Sequence, residues 1–264
     1  MRIKIYQVDA FTDKLFGGNP AAVCPLDKWP DDELLQQIAM ENNLAETAFY
    51  VKHKNHYDIR WMTPTVEVDL CGHATLAAAH VLFNYENHKG NEIVFKSQRS
   101  GNLLVTKEGD FLTLNFPSDI YKSIPVFPEL IKGLNATPTE VLKGKTDYIA
   151  EFENEDEIKN IRPNFRELVK IECRGVIVMA KGDDVDFVSR FFAPQSGIDE
   201  DPVTGSAHTS LTPYWADKLG KKELTAKQIS KRGGYLKCKY LGERVAISGQ
   251  CSTYLKGEIK VKRK

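Results

Sequence analysis

Glu46, Cys71, His73, Asp201 and Ser206 are the residues whose types and settings allow chemistry. Glu46 stands in LAETAFYV (44–51), among Leu44, Ala45, Ala48 and Phe49. A carboxylate in apolar company must be exposed, paired, or retained for function despite its desolvation cost. Such surroundings raise a carboxyl pKa toward the range where one group serves as base and then as acid. Cys71-Gly72-His73 lies in VDLCGHATLAAAHVL (68–82), which reads as a turn running into an Ala-rich helix. Glycine permits a left-handed turn or a close backbone approach, and the first N–H groups of the helix can hold an anion. An imidazole there can hydrogen-bond a developing anion or assist proton transfer. Asp201 precedes Pro202 in a loop, where it can orient His73, hold a substrate amine or hydroxyl, or simply form the turn. Ser206 can donate to a carboxylate or cap a helix. Cys71 is read as a small buried residue, with a catalytic thiol as the alternative. His208 is read as structural. His53, His56, His80 and His88 show no ligand spacing, and no metal site is expected.

The elements that must position these residues follow from periodicity and punctuation. Arg2–Ala10 alternates as a strand, Phe16-Gly17-Gly18-Asn19-Pro20 is a tight turn, and Ala21–Cys24 is a second strand. A helix starts at Trp29-Pro30-Asp31-Asp32, with an Asp able to cap it. Leu34, Leu35, Ile38 and Ala39 form its apolar face, and Asn42-Asn43 ends it. Strands are expected at 44–51, 57–62, 92–95, 101–106 and 111–116. Residues 117–128 read as a linker, and the chain is irregular through Pro163. Strands at 176–180 and 185–192, a loop at 195–204, a helix from about Gly205 to Leu219, and strands near 235–240, 244–248 and 252–255 complete the chain.

The second half echoes the first. RWMTP (60–64) matches RFFAP (190–194), GHATL (72–76) matches GSAHT (205–209), and SQRSG (97–101) matches SKRGG (230–234), in the same order. A unit of strand, Pro, loop, Gly, helix and hairpin is therefore used twice. Two such units suggest two mixed α/β domains facing a cleft, with two helix starts offering donors to an anionic ligand. Aligning the Gly72 and Gly205 turns puts Thr204 at the place of Cys71.

Composition bounds the function. The 264 residues, at roughly 150 per domain, allow one large or two smaller domains. Lys+Arg and Asp+Glu both number 36, which argues against a general nucleic-acid or acidic-membrane binder. The basic stretch at 260–264 is too short to alter this, and the acidic run 151–157 reads as an exposed loop or helix face. No apolar run approaches the roughly 20 residues of a membrane span, and the start is no signal peptide, so a cytoplasmic protein is expected. The five cysteines (24, 71, 173, 238, 251) are widely spaced without CxxC, so free thiols are expected.

VDAFTDKLFGGNPAAV (8–23), NNLAETAFYV (42–51), IRWMTP (59–64), VDLCGHATLAAA (68–79) and DEDPVTGSAH (199–208) together resemble the phenazine-biosynthesis PhzF-like family. The resemblance implies an α+β chain with the diaminopimelate epimerase-like fold. Two pseudo-symmetric domains would each curve a mixed sheet around a central helix, with the active site in the cleft between them. The domains would be 1–117, with the tail 256–264, and 118–255. It also implies a homodimer that needs no metal or organic cofactor and acts on a small carboxylate-bearing substrate, with no nucleic-acid or membrane partner. The characterised reaction of the family moves a proton on a dihydro-hydroxyanthranilate ring. By resemblance Glu46 shuttles that proton, His73 and Asp201 complete the catalytic set, and Gly72, Ala74, Thr204, Gly205, Ser206 and Asn19 hold the substrate. Two positions depart from the phenazine enzyme: Ala45 replaces a Ser, and Cys71 stands where it has no thiol. An isomerase driven by Glu46 is the expected activity. A Cys71-dependent epimerase, racemase or dehydratase, and a non-catalytic metabolite-binding or interaction protein, are the alternatives.

Overall fold

The computed structural model describes residues 1–261, which divide into two compact units. One comprises Met1–Asn115 and the chain from Ser248 onward, and the other is Phe116–Ile247. From Lys262 on, the basic stretch at 260–264 lies outside the described residues. No described helix is long and apolar enough to cross a membrane.

The first unit runs β1 (Arg2–Ala10), β2 (Asn19–Leu26), α1 (Asp32–Asn42), β3 (Glu46–Lys52), β4 (Tyr57–Met62), β5 (Glu67–Val68), α2 (Gly72–Asn84), β6 (Glu92–Ser97), β7 (Gly101–Glu108) and β8 (Phe111–Pro117). Its sheet is mixed. β1–β2, β3–β4, β6–β7 and β7–β8 are antiparallel, while β2–β3 and β4–β6 are parallel. Parallel neighbours need a crossover, and α1 and α2 supply the two that are required.

The two helices bury differently because their sequences differ. α1 buries one face, Leu35, Ile38 and Ala39, against Ile3, Cys24, Phe49 and Met62. Asn43, left-handed at φ 49°, ends it, while Asp31 stands at its start without making the side-chain cap that the sequence suggested. Between His73 and Leu82 every α2 residue except His80 is buried. A helix apolar on all sides is an enclosed one. Its run of alanines lets β1, β2 and β3 approach its backbone closely.

The second unit runs β9 (Lys122–Ile124), α3 (Pro128–Leu134), β10 (Glu140–Lys143), β11 (Asp147–Glu151), α4 (Glu155–Asn160), α5 (Phe165–Leu168), β12 (Gly175–Lys181), β13 (Phe187–Ala193), β14 (Ile198–Asp201), α6 (His208–Leu219), β15 (Glu223–Gln228), β16 (Gly234–Tyr240) and β17 (Arg244–Gly249). The final strand, β18 (Cys251–Lys260), returns to the first unit and pairs antiparallel with β1 from Arg2↔Lys260 to Ala10↔Cys251. In the second unit β10–β11, β12–β13, β13–β14 and β15–β16 are antiparallel, and β11–β12 and β13–β15 are parallel. The order of parallel and antiparallel pairings repeats that of the first unit, so the echo in the sequence is an echo in topology.

Several expectations change. The linker at 117–128 contains β9, and the stretch judged irregular holds two strands and two short helices. The acidic run is not wholly exposed. Glu151 is buried, accepts a hydrogen bond from Tyr214 Oη at 2.7 Å, and pairs with Lys218. The helix expected from Gly205 starts as a 3₁₀ turn, Gly205–Ala207, and becomes α-helical only at His208.

Candidate active site

In the first unit, Asn19 and Glu46 are the opening residues of the parallel neighbours β2 and β3, and His73 lies in the first turn of α2. Gly18, immediately before Asn19, has φ +60°, and a Cβ there would lie 2.1 Å from the Ala10 carbonyl oxygen. Only glycine fits, so the chain enters β2 along one path and Asn19 is fixed with it. Asn43, left-handed at the end of α1, starts the turn that leads into Glu46.

These starts bring three side chains together around the His73 ring. Asn19 Nδ2 lies 3.3 Å from Nδ1, Cys71 Sγ lies 3.5 Å from the same nitrogen, and Glu46 Oε2 lies 3.2 Å from Nε2. Burial pushes the His73 pKa down to about 4, so the ring is neutral at physiological pH. An amide N–H and a thiol both direct donors at Nδ1. The ring proton therefore belongs on Nε2, facing the Glu46 carboxylate. The Nε2–Oε2 contact is close but off the line of a well-formed hydrogen bond. Catalytic hydrogen bonds without substrate are commonly long or bent in this way. The Glu46 side chain is 15% exposed, while Oε2 itself is buried against His73. Ala74 is buried behind this group, and Gly72 opens α2 from the N-cap Cys71.

Asp201, Thr204, Gly205 and Ser206 lie together in the second unit. Thr204 Oγ1 donates to the Asp201 carboxylate. The buried Gln228 on β15 braces both residues. Its Nε2 donates to the Asp201 carbonyl at 2.8 Å, and its Oε1 accepts from the Thr204 backbone N–H at 2.8 Å. His208 Nδ1 donates to the Thr204 carbonyl at 2.9 Å, and the His208 side chain is fully buried. Ser206 does not cap the helix. Its Oγ instead meets Arg174 Nη1 at 2.9 Å, and the same guanidinium forks onto the Asp147 carboxylate. Arg174, Asp147 and Gln228 are polar positions that the sequence reading missed. Each lies 24 to 32 residues from its partner, beyond any local pattern.

A family model for phenazine biosynthesis-like proteins (PhzC-PhzF) matches residues 8–257. The chain belongs to the PhzF family. It is 49% identical over 261 residues to a Pseudomonas aeruginosa protein called an uncharacterized isomerase, covering 99% of this chain and 100% of that one. It is 46% identical to a PhzF-family protein of Enterococcus faecalis with a crystal structure, at a TM-score of 0.96 and with 99% and 100% of the two chains covered. The structure of a predicted epimerase from Pseudomonas aeruginosa shares the fold at 17% identity and a TM-score of 0.74, with 98% and 100% covered. The α+β, epimerase-like architecture expected from the motifs is therefore that of this PhzF-family chain.

Proposed function

We propose that this PhzF-family chain is an isomerase in which Glu46 takes a proton from an activated carbon of a small carboxylate and returns it at another position. The observation that carries this reading is the Glu46 carboxylate set 3.2 Å from a buried, neutral His73. A neutral Nε2–H steadies the carboxylate without quenching it as a full positive charge would, so Glu46 stays basic enough to remove a carbon-bound proton. When Glu46 becomes protonated, His73 holds the acid in place for return of the same proton. Asn19 and Cys71 keep His73 in the required tautomer from its far side. The start of α2 at Gly72 and the Thr204-Gly205-Ser206 turn supply backbone donors for the substrate carboxylate, and Asp201 takes an amine or hydroxyl. The names of the relatives, an isomerase among them, support the reaction class. The test is solvent-deuterium incorporation into a panel of small carboxylates, followed by mass spectrometry. Wild type labels a member of the panel and Glu46→Gln does not, while still binding it. Equal labelling by both proteins overturns the proposal.

The Cys71 thiol, 3.5 Å from His73 Nδ1, favours a second reading as a one-thiol epimerase or dehydratase. Undiminished labelling by Cys71→Ser removes it.

A further inference from the structure

We propose that the tip of the β3–β4 hairpin is a binding site for a divalent transition metal, with His53, His56 and Asp58 as its protein ligands. The segment reads Lys52-His53-Lys54-Asn55-His56-Tyr57-Asp58. On the sequence alone, His53 and His56 showed no ligand pattern, because their shared ligand is made by the turn. The His53 N–H donates to the His56 carbonyl at 2.9 Å and closes the hairpin. The two histidines therefore leave the turn side by side, and their rings stack with centroids 4.8 Å apart and planes 9° from parallel. Both rings turn Nε2 toward Asp58. His53 Nε2 lies 2.8 Å from Asp58 Oδ2, and His56 Nε2 lies 3.2 Å from Asp58 Oδ1. All three ligand atoms lie within 4.8 Å of one another.

Two imidazoles and one carboxylate, with further positions open to water, form a donor set suited to Zn²⁺ or a neighbouring first-row ion. Zn–N bonds of about 2.0–2.1 Å put two nitrogens of a tetrahedral site roughly 3.3 Å apart, and the three ligand atoms here lie within 4.8 Å of one another. Each ring then carries its proton on Nδ1, and the N–H···O contacts to Asp58 give way to metal bonds. His53 is the most exposed of the three and His56 and Asp58 are partly buried, so an ion has access without unfolding the hairpin.

A second trio, Glu46, Cys71 and His73, also meets the same spacing. It converges poorly, because its imidazole presents Nδ1 to the thiol and Nε2, on the opposite edge, to the carboxylate. One ion cannot take both nitrogens of one ring. The hairpin trio instead directs two nitrogens from two rings at one carboxylate. It also lies at the far end of β3 from Glu46, six residues or about 20 Å along the strand, so it is separate from the proposed acid–base chemistry. An ion at this tip would staple the turn that sets the register of β3 against β4.

The test is calorimetric titration of the full chain with ZnCl₂, paired with ¹H–¹⁵N spectra of the histidine rings. Wild type binds one Zn²⁺, and the Nε2 resonances of His53 and His56 shift together. His53→Ala/His56→Ala loses the binding, Asp58→Asn weakens it, and Cys71→Ser retains it. Unfolding curves without zinc establish that the variants are folded. The wild-type ring spectra decide the matter even if a variant is not. No zinc binding by wild type, unshifted His53 and His56 rings, or loss of binding in Cys71→Ser each overturns the proposal.

Discussion

The two units build the same framework and place different groups on it. In the first, Arg60 forks onto Glu67 through Nε and Nη2, both at 2.8 Å. In the second, Arg190 forks onto Glu200 at 2.7 and 2.9 Å. Thr75 Oγ1 donates to the Cys71 carbonyl, and four positions after Thr204 the ring of His208 donates to the Thr204 carbonyl. Ser97 Oγ accepts from the Ser100 N–H, and Ser230 Oγ from the Gly233 N–H. These bonds shape the strand ends, the helix start and the hairpin that the repeat uses twice.

The reactive positions are not repeated. Arg60 pairs with Phe49 across β3–β4 and Arg190 with Val178 across β12–β13, so the place of Glu46 is taken by Gly175. The place of His73 is taken by Ser206. Gly175 cannot carry a side chain, because a Cβ there would lie 2.4 Å from the Phe191 ring. The residue before it, Arg174, fills the space with a permanent cation tied to Asp147 and Ser206. The repeat thus carries a carboxylate–imidazole pair in one unit and a fixed charge in the other.

The largest effect expected from this contrast is kinetic. Glu46→Gln should lower deuterium incorporation by about 10³-fold or more, whereas Ser206→Ala, at the place equivalent to His73, should lower it by less than about tenfold. Comparable losses would place proton transfer in both units.

The next effect lies in acid stability. Burial pushes His208 down to about 4, below its usual value of about 6.5. The native state then refuses a proton that the unfolded chain accepts. The full stability is present above about pH 6.5 and declines as pH falls toward 4, by roughly 3 kcal/mol for this group. His208→Thr installs the residue found at the equivalent position of the first unit, Thr75. Urea unfolding from pH 7.5 to 4.5 should then show a shallower decline than wild type. An unchanged slope would mean that His208 is not neutral in the native state.

A smaller effect separates the two strand starts. Gly175→Ala should destabilise by about 2–3 kcal/mol through its clash with Phe191, whereas Glu46→Ala should cost less than about 1 kcal/mol. Smallest of all, Thr75→Val removes a buried hydrogen bond to the Cys71 carbonyl, at about 1 kcal/mol by thermal or urea unfolding.

Much of this was legible in the sequence, for identifiable reasons. Glu46 and His73 sit next to strong punctuation, Asn42-Asn43 and Gly72, so their motifs marked both their positions and their elements. The repeat was visible because its framework residues, Arg, Gly and Ser, recur in order. What escaped had no local period. β15 (ELTAKQ) turns only Leu224, Ala226 and Gln228 inward, and its lysine and threonine hide the alternation. α4 and α5 span 6 and 4 residues, too few to show a helical face. The role of Gln228 depends on a loop 24 residues earlier, and the Glu151 network depends on a helix 63 residues later, so only the folded chain could reveal either. The His53–His56 pair escaped because a turn, and no spacing rule, aligns the rings.

The pairing of β18 with β1 carries a consequence for biosynthesis. Asn19, Glu46 and His73 are all translated early, yet the sheet beside them lacks an edge partner until β18 has emerged, after every residue of the second unit. On the ribosome, the unit made second is the first that can be completed. The unit bearing Glu46 and His73 waits with β1 unpaired on that side, so stalled or truncated chains would expose that edge to other chains in a crowded cell.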